Sequence, residues 1–388
     1  MIPALAITQT AGYGVLYYAF SVFLTPMSVS LRTGVAQLTA AMTLAVLISG
    51  LVAPLVGRWL DRRGGRGLMT AGSVIGTLAV LAWSRVENLP QFYAVCVALG
   101  VASAMVLYEA AFAVIVAWFS PARRSGALLA VTVVAGFASS IFLPLTGFLV
   151  ASYGWRQALV LLAVGYGVVS VPLHAFAVRS RTSPRLSPRV GPALRERPFW
   201  LLAAAFLSQT GAVAVMGVLL VTYLIALGHS PVFAASVAGL LGVLSVTGRV
   251  LTTGLQTRWP IALITAAVFT LQATAAVLLP LVGSSVPGAV VSVVLFGLGF
   301  GVATIARPAL LASRYGTAAY ASISGALALP ITVAKALAPL AAAAVAQVAG
   351  YPAVMAAVAL SCVLGALALV VYERSAVGEP ADPPAPAS

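Results

Sequence analysis

Long apolar runs are the feature of this sequence that most constrains its fold. A helix needs about 20 apolar residues to cross a bilayer, and twelve such runs follow one another along the 388 residues. In lipid a helix satisfies its own backbone hydrogen bonds, and no run shows the two-residue alternation of a membrane β-barrel. The sequence therefore predicts an all-α membrane protein with twelve transmembrane helices. The runs cover 4–28, 36–56, 67–84, 90–118, 125–151, 155–178, 198–226, 231–255, 259–281, 288–313, 319–347 and 351–372.

The composition excludes a soluble globular protein, a disordered chain and a nucleic-acid-binding protein. Only 7% of the residues are charged and 62% are hydrophobic, whereas a soluble domain carries about 25% charged residues. A net charge of +14 would otherwise suggest a nucleic-acid partner, but most basic residues lie between the apolar runs. Cys96 and Cys362 lie inside such runs, so we interpret them as small membrane-helix residues rather than disulfide partners or metal ligands.

The distribution of arginine predicts the orientation in the membrane. If the N-terminus is cytoplasmic, the inner loops hold fifteen arginines and the outer loops hold only Arg32, Arg85 and Arg156. This asymmetry agrees with the positive-inside rule. The first run has no basic start, so we expect a retained span rather than a signal peptide. Both termini are expected on the cytoplasmic side of an inner or plasma membrane.

The longest hydrophilic stretch divides the chain into two six-run halves. Residues 179–197 contain six arginines and lie between the sixth and seventh runs. We expect an N-terminal half over 1–178, a cytoplasmic linker over 179–197 and a C-terminal half over 198–374. The tail, 375–388, is rich in Pro and Ala and is expected to be disordered.

Weak internal echoes suggest that the halves arose by duplication. Pro144 in the fifth run precedes Gly154 by ten residues, and Pro339 in the eleventh run precedes Gly350 by eleven. Parallel halves of this kind are typical of one large transporter architecture.

Short motifs identify a family resemblance. The run Gly57–Arg66 resembles the major facilitator superfamily signature Gly-x-x-x-Asp-Arg-x-Gly-Arg, with one extra residue before the final Gly-Arg. Within that superfamily the chain is similar to the monocarboxylate transporter and oxalate:formate antiporter branch. That similarity rests on the stretches Gly14–Phe23, Trp118–Arg124 and Gly154–Arg156.

The resemblance implies a secondary active transporter with a cavity between its halves that opens alternately to each side. It further implies a small organic anion, a mono- or dicarboxylate, carried with a proton or exchanged for another anion. We expect a monomer in the lipid bilayer, without cofactor, metal, catalytic residue or nucleic-acid partner. The alternative is an exporter of amphiphilic or drug-like compounds, which would need a large apolar cavity with little charge.

The charged loop after the second run is a candidate gate. The Asp61 carboxylate can cap the N-terminus of a helix in the facing half, and Arg62 and Arg66 can pair with carboxylates or helix-end carbonyls. Such contacts would exist only when the cytoplasmic side is closed, so they would favour one of two conformations. Alternatively, these charges only set the topology.

Four ionisable residues lie well inside apolar runs: Glu109, Arg249, Arg307 and Lys335. Each costs roughly 2.5–3.5 kcal/mol on insertion scales, so each is a functional hypothesis by default. The resemblance implies that Arg249 binds the substrate carboxylate, for which the planar guanidinium is well shaped. Ser245 occupies the position where the family often has an aspartate. The alternative is that Arg249 extends towards the nearby membrane surface.

Lys335 lies near the middle of the eleventh run. The oxalate:formate antiporter holds its anion between an arginine of span eight and a lysine of span eleven, and Arg249 with Lys335 resembles that pair. Alternatively, Lys335 pairs with Glu109 or a backbone carbonyl. Glu109 itself has three possible roles: a proton carrier in a cavity of low dielectric constant, a salt-bridge gate with Arg307, or a structural group.

Several uncharged side chains are weaker candidates for the binding site. Tyr13, Tyr17 and Phe20 follow at helical spacings of four and three, so they could line a cavity or pack in the core. Gln209, with Thr210, lies in the seventh run and Gln272 in the ninth. His174 and His229 lie near the ends of runs, and no role is assigned to them.

Overall fold

The structure, a computed structural model, describes residues 1–179 and 190–377. Most of the predicted linker, including Ser187, and nearly all of the predicted tail lie outside these residues. Every regular element within them is helical, which confirms the predicted fold class. Two helical stretches contain a short π-helical turn, at Gly14–Tyr18 and at Leu173–Ala177.

Fifteen α-helices make up the described chain. They are α1 Ile2–Tyr13, α2 Phe20–Ser30, α3 Val35–Arg63, α4 Gly65–Trp83, α5 Leu89–Val106, α6 Tyr108–Trp118, α7 Pro121–Ala135, α8 Ala138–Pro172, α9 Val190–Arg195, α10 Arg197–Ala226, α11 Pro231–Leu255, α12 Ile261–Val282, α13 Val286–Gly299, α14 Ala303–Tyr315 and α15 Tyr320–Val377.

Nine helical segments among the described residues are long and apolar enough to cross a membrane. Two of them, Pro121–Ala177 and Tyr320–Ser375, exceed 50 residues. Each contains a glycine with positive φ, 75° at Gly154 and 79° at Gly350, a conformation that side-chain-bearing residues rarely adopt. Dividing these segments at the two glycines raises the number of spans to eleven. The exact count of twelve stays a prediction.

The packing divides the chain into two units. The first comprises Met1–Val190 and Pro308–Leu337, and the second comprises Gly191–Arg307 and Ala338–Ser388. The first part of α15 therefore packs with the first unit. The predicted domain boundaries at 178, 197 and 374 stay a prediction.

An aromatic cluster forms the core of the first unit. Trp83 lies between Phe23 and Phe92, with ring centroids 5.4 Å and 5.6 Å away, and its indole N–H donates to the sulfur of Met27 over 3.2 Å. Phe20 stacks on Phe92 at 6.2 Å and is only 9% exposed. Of the two roles considered for Phe20, the structure therefore shows core packing.

The second unit has its own apolar core, in which close helix packing depends on glycine. Tyr223 and Tyr351 stack with centroids 4.9 Å apart, and Phe206 meets Phe269 edge-on. A Cβ on Gly248 would overlap the carbonyl of Leu298. Glycine at 248 therefore lets α11 and α13 approach closely, which fixes the wall on which Arg249 lies.

Candidate functional site

Asp61 holds the beginning of α15. Its Oδ1 accepts a hydrogen bond from the Ala321 amide at 3.1 Å, and its Oδ2 accepts one from the Ser322 amide at 2.7 Å. Because α15 begins at Tyr320, both amides belong to the first turn, whose N–H groups lack intrahelical carbonyl partners. A carboxylate at this end also interacts favourably with the helix dipole. Asp61 thus caps a helix 260 residues away along the chain.

Glycines let α3 and α15 approach closely enough for this contact. A Cβ on Gly57 would overlap the Ala321 carbonyl, and one on Gly325 would overlap the Ala53 carbonyl. Gly57 is the first residue of the signature Gly57–Arg66. The motif therefore combines the carboxylate that caps α15 with the glycine that allows α15 to reach it.

A shallow cleft opens beside Asp61. Gly64, Trp118, Arg179 and Tyr320 contribute to its wall, and the Trp118 indole donates to the Arg179 carbonyl at 2.6 Å. Arg62 and Arg66 both have exposed side chains in this part of the first unit. Their predicted pairing with helix ends stays a prediction.

Glu109 follows a break in the fourth predicted span. Leu107 has φ −80° and ψ −166°, so α5 ends at Val106 and α6 begins at Tyr108. The Gln9 amide, which sequence reasoning missed, donates to the Val106 carbonyl at 2.6 Å. Glu109 lies in the first turn of α6 and accepts a hydrogen bond from the Ser324 hydroxyl at 3.0 Å. The first unit therefore presents Glu109 to the second turn of α15.

Lys335 lies over an aromatic ring of the first unit. Its Nζ is 5.2 Å from the ring centroid of Tyr17, within the range of a cation–π contact. The side chain is exposed, although α15 is strongly apolar here. Ser324 and Lys335 are separated by about 16 Å of helix, so Glu109 and Lys335 make their observed contacts at different levels of α15.

Tyrosines form a wall beside this lysine. Tyr13 lies 4.6 Å from Tyr108 and 6.4 Å from Tyr18, which in turn lies 5.3 Å from Tyr17. All four rings are partly exposed. Sequence reasoning missed Tyr18, because the π-helical turn at Gly14–Tyr18 shifts side chains off the 3.6-residue period, and it missed Tyr108, because only tertiary packing brings α6 beside Tyr13. The candidates Tyr13, Tyr17 and Lys335 thus belong to one aromatic cluster.

Arg249 is buried in the second unit at another helix break. It is 8% exposed, and its Nε donates to the Gly301 carbonyl at 3.2 Å. Residues 300–302 interrupt the tenth predicted span between α13 and α14. A Cβ on Gly301 would meet the Arg249 guanidinium and the Ser245 hydroxyl. Arg249 therefore lies directly against the broken backbone.

Two buried glutamines lie near the same break. Gln209 Nε2 donates to Gln272 Oε1 at 3.4 Å, and Gln272 Nε2 donates to the Phe296 carbonyl at 3.2 Å. The structure thus brings Gln209 and Gln272 together inside the second unit. Arg307, the remaining in-span charge, lies in α14 after the break.

His174 connects three helical segments, although sequence reasoning assigned it no role. Its Nδ1 lies 2.6 Å from the Ser73 hydroxyl and its Nε2 lies 3.0 Å from the Thr8 hydroxyl. All three side chains are almost fully buried. The described residues contain no cluster of three or more His, Cys, Asp or Glu side chains suited to a metal ion, and Cys96 and Cys362 are buried free thiols.

Comparison with known proteins identifies relatives in sequence. The sequence profile of the Major Facilitator Superfamily matches residues 6–329. A curated relative is an "MFS-type transporter" from Gibberella moniliformis (strain M3125 / FGSC 7600), 28% identical over 285 residues. That alignment covers 69% of this chain, and the chain spans 65% of the relative's length.

Solved structures agree in fold. The human organic anion transporter MFSD10 (TETRAN) has a TM-score of 0.73 and 15% identity, and the match covers 95% of this chain and 99% of that one. The Escherichia coli fucose:proton symporter FucP gives 0.75 and 13%, with 96% and 98% coverage. The proton:xylose symporter XylE gives 0.70 and 12%, with 94% of each chain covered. At these identities the likeness shows the fold alone.

Proposed function

The chain belongs to the Major Facilitator Superfamily, and from that premise we propose that it carries a small organic anion across a membrane by alternating access. Members of this family are transporters rather than enzymes, and the apolar helices make this protein an integral membrane protein. Proton coupling or anion exchange, a monomeric state and cytoplasmic termini in an inner or plasma membrane are parts of the proposal.

The environment of Lys335 is the observation that supports the organic-anion proposal. A charge within an apolar helix costs roughly 2.5–3.5 kcal/mol, so it is a functional hypothesis by default. Lys335 is exposed rather than buried in a structural ion pair, and its ammonium lies over Tyr17. We propose that this ammonium binds the anion, while Tyr13 and Tyr17 contact the rest of the substrate.

Arg249 is the proposed second cation. Its guanidinium has five N–H donors, and the contact with Gly301 uses the Nε donor. A planar guanidinium matches a carboxylate in two parallel bonds. Gln209 is buried near the same break. We propose that it contributes to this part of the site through hydrogen bonds and not through charge.

The contacts of Asp61 support a gate. Two hydrogen bonds to α15 amides stabilise whichever conformation contains them, so Asp61, with Arg62 and Arg66, is proposed to favour the closed cytoplasmic side. Glu109 and Arg307 are proposed to couple or gate transport, because each lies on a half-helix that follows a break. A proton on Glu109 and an ion pair with Arg307 remain the two versions of this role.

Competition among anions tests the proposal. Purified protein in proteoliposomes should exchange a labelled carboxylate, and a panel of mono- and dicarboxylates should compete according to their fit. Counterflow separates a transporter from a protein that only binds. If no carboxylate is bound or exchanged by properly folded protein, the organic-anion proposal is wrong.

The tyrosine wall favours one second candidate, an exporter of amphiphilic compounds. Four partly exposed rings, those of Tyr13, Tyr17, Tyr18 and Tyr108, offer apolar surface to a larger ligand. Such a ligand would compete without needing a carboxylate, and its affinity would not depend on Lys335. The same panel, extended with uncharged and cationic amphiphiles, distinguishes the two functions.

A further inference from the structure

Gln9 and Gln209 are related by position as well as by type. Each is followed by threonine, and the Gln-Thr pairs lie 200 residues apart, in the first helices of the two predicted halves. Both glutamines are buried, with 0% and 1% of the side chain exposed. A buried amide needs a hydrogen-bond partner, so the partners of the two side chains indicate what the repeated residue does.

In the first unit the partner is the broken end of α5. Gln9 Nε2 donates to the carbonyl of Val106, the last residue of that helix. The last four carbonyls of a helix have no intrahelical donor, and in lipid no water replaces it. Gln9 therefore supplies a hydrogen bond that the break at Leu107 removes.

In the second unit a relay of two amides reaches the corresponding break. Gln209 donates to Gln272, and Gln272 donates to the carbonyl of Phe296. Phe296 is among the last four residues of α13, which ends at Gly299 before the break. A Cβ on Gly299 would overlap the Gln272 side chain, so glycine there makes room for the relay.

We propose that Gln9 and Gln209 are equivalent positioning residues. They stabilise the breaks in the fourth and tenth spans, at Leu107 and at residues 300–302, which we call the first and second joints. The half-helix after the first joint carries Glu109, and the one after the second carries Arg307. The amides hold α6 and α14 in the orientation that presents these charges. Gln209 acts through Gln272 and the backbone and does not itself touch substrate.

Cysteine labelling in the full chain, reconstituted in vesicles, tests the first joint. Ala111→Cys places a thiol on the buried side of α6, after the joint, and native Cys96 reports on α5, before it. Gln9→Met should raise N-ethylmaleimide labelling at position 111 about fivefold, the population change for loss of one hydrogen bond. Labelling of Cys96, quantified by peptide mass spectrometry, should not change.

Thr10→Val is the matched control, because the Thr10 hydroxyl donates within its own helix, to the Ala6 carbonyl. It should leave both labelling rates unchanged. An equal rise at position 111 and Cys96 would show general loosening and overturn the proposal, as would no rise at position 111.

The second joint gives an independent measurement if Gln9→Met does not fold. Gln209→Met should raise labelling of the buried position Ala306→Cys in α14, with native buried Cys362 as the unchanged reference. Thr210→Val, at the half-buried neighbouring position, is the control. Gln272→Met should have the same effect, and the double variant should add nothing, because residues in one relay are coupled. Additive effects, or labelling that follows Cys362, would contradict the relay.

Discussion

The carboxylate of Asp61 and the amide of Ser322, separated by 261 residues along the chain, meet at 2.7 Å. The bond joins the last turn of α3, where the sequence predicts a loop, to the first turn of α15. Such a contact favours one conformation over another only if it forms in one and is broken in the other. Asp61 is therefore the residue at which the gate hypothesis can be tested most directly.

Asp61→Asn should slow transport more than it weakens substrate binding. The substitution removes the charge and one acceptor oxygen but keeps the shape. Hydrogen bonds to charged groups contribute about 1.5–3 kcal/mol, against about 0.5–1.5 for neutral ones, so turnover should change roughly tenfold. Initial rates of exchange and equilibrium binding on the same preparation separate the effects.

Arg63→Gln is a suitable control, because Arg63 lies in the same last part of α3 but stacks on the Trp59 ring. Its turnover should stay near that of the parent protein. Normal turnover of Asp61→Asn combined with lost affinity would contradict the gate.

Gly57→Ala should weaken the same contact without removing any charge. A Cβ at 57 would overlap the Ala321 carbonyl, whereas one at Gly67, the residue after the motif, would meet nothing within 4 Å. Overpacking of this kind costs typically about 1–3 kcal/mol. Turnover should fall for Gly57→Ala and stay unchanged for Gly67→Ala, and equal effects of the two would show that close approach of α3 and α15 is unimportant.

Substitutions of the two proposed cations test the anion site. Arg249→Lys keeps the charge but loses the planar fork, and Lys335→Gln loses a charge. If both bind one anion, each should cost about 1.5–3 kcal/mol of binding free energy, and the double variant should cost less than the sum. Competition binding measures all three, and unchanged anion affinity in both single variants would favour the amphiphile exporter.

The linker gives a test of orientation. A cysteine replacing Ser187 should react with an impermeant maleimide only from the cytoplasmic side, because the six arginines of 179–197 are expected to stay inside. Labelling is compared between intact and permeabilised cells. Reaction in intact cells would reverse the predicted topology.

The sequence predicts the fold well because membrane helices are specified by composition over about 20 residues. It also singles out Asp61, Glu109, Arg249 and Lys335, because charges are costly in an apolar chain. It cannot place the partners of these charges. The bond from Arg249 to Gly301 and that from Glu109 to Ser324 depend on tertiary packing.

Local irregularities account for the other differences. A helical period of 3.6 groups Phe20 with Tyr13 and Tyr17, but the π-helical turn at Gly14–Tyr18 intervenes, and Phe20 packs on Phe92 instead. His174 lies in the second π-helical turn, and its two hydroxyl partners come from distant parts of the chain. No pattern in the neighbouring sequence indicates either arrangement.

The composition of the first unit has a consequence for biosynthesis. Its segments Met1–Val190 and Pro308–Leu337 are separated by more than a hundred residues of the second unit. α3 is therefore synthesised long before α15, and during that interval Asp61 and Gly57 lack the helix that they contact. Until translation passes residue 322, the Asp61 carboxylate has no α15 amides to accept from, so synthesis of α15 is the step that completes the unit whose first helices are made earliest.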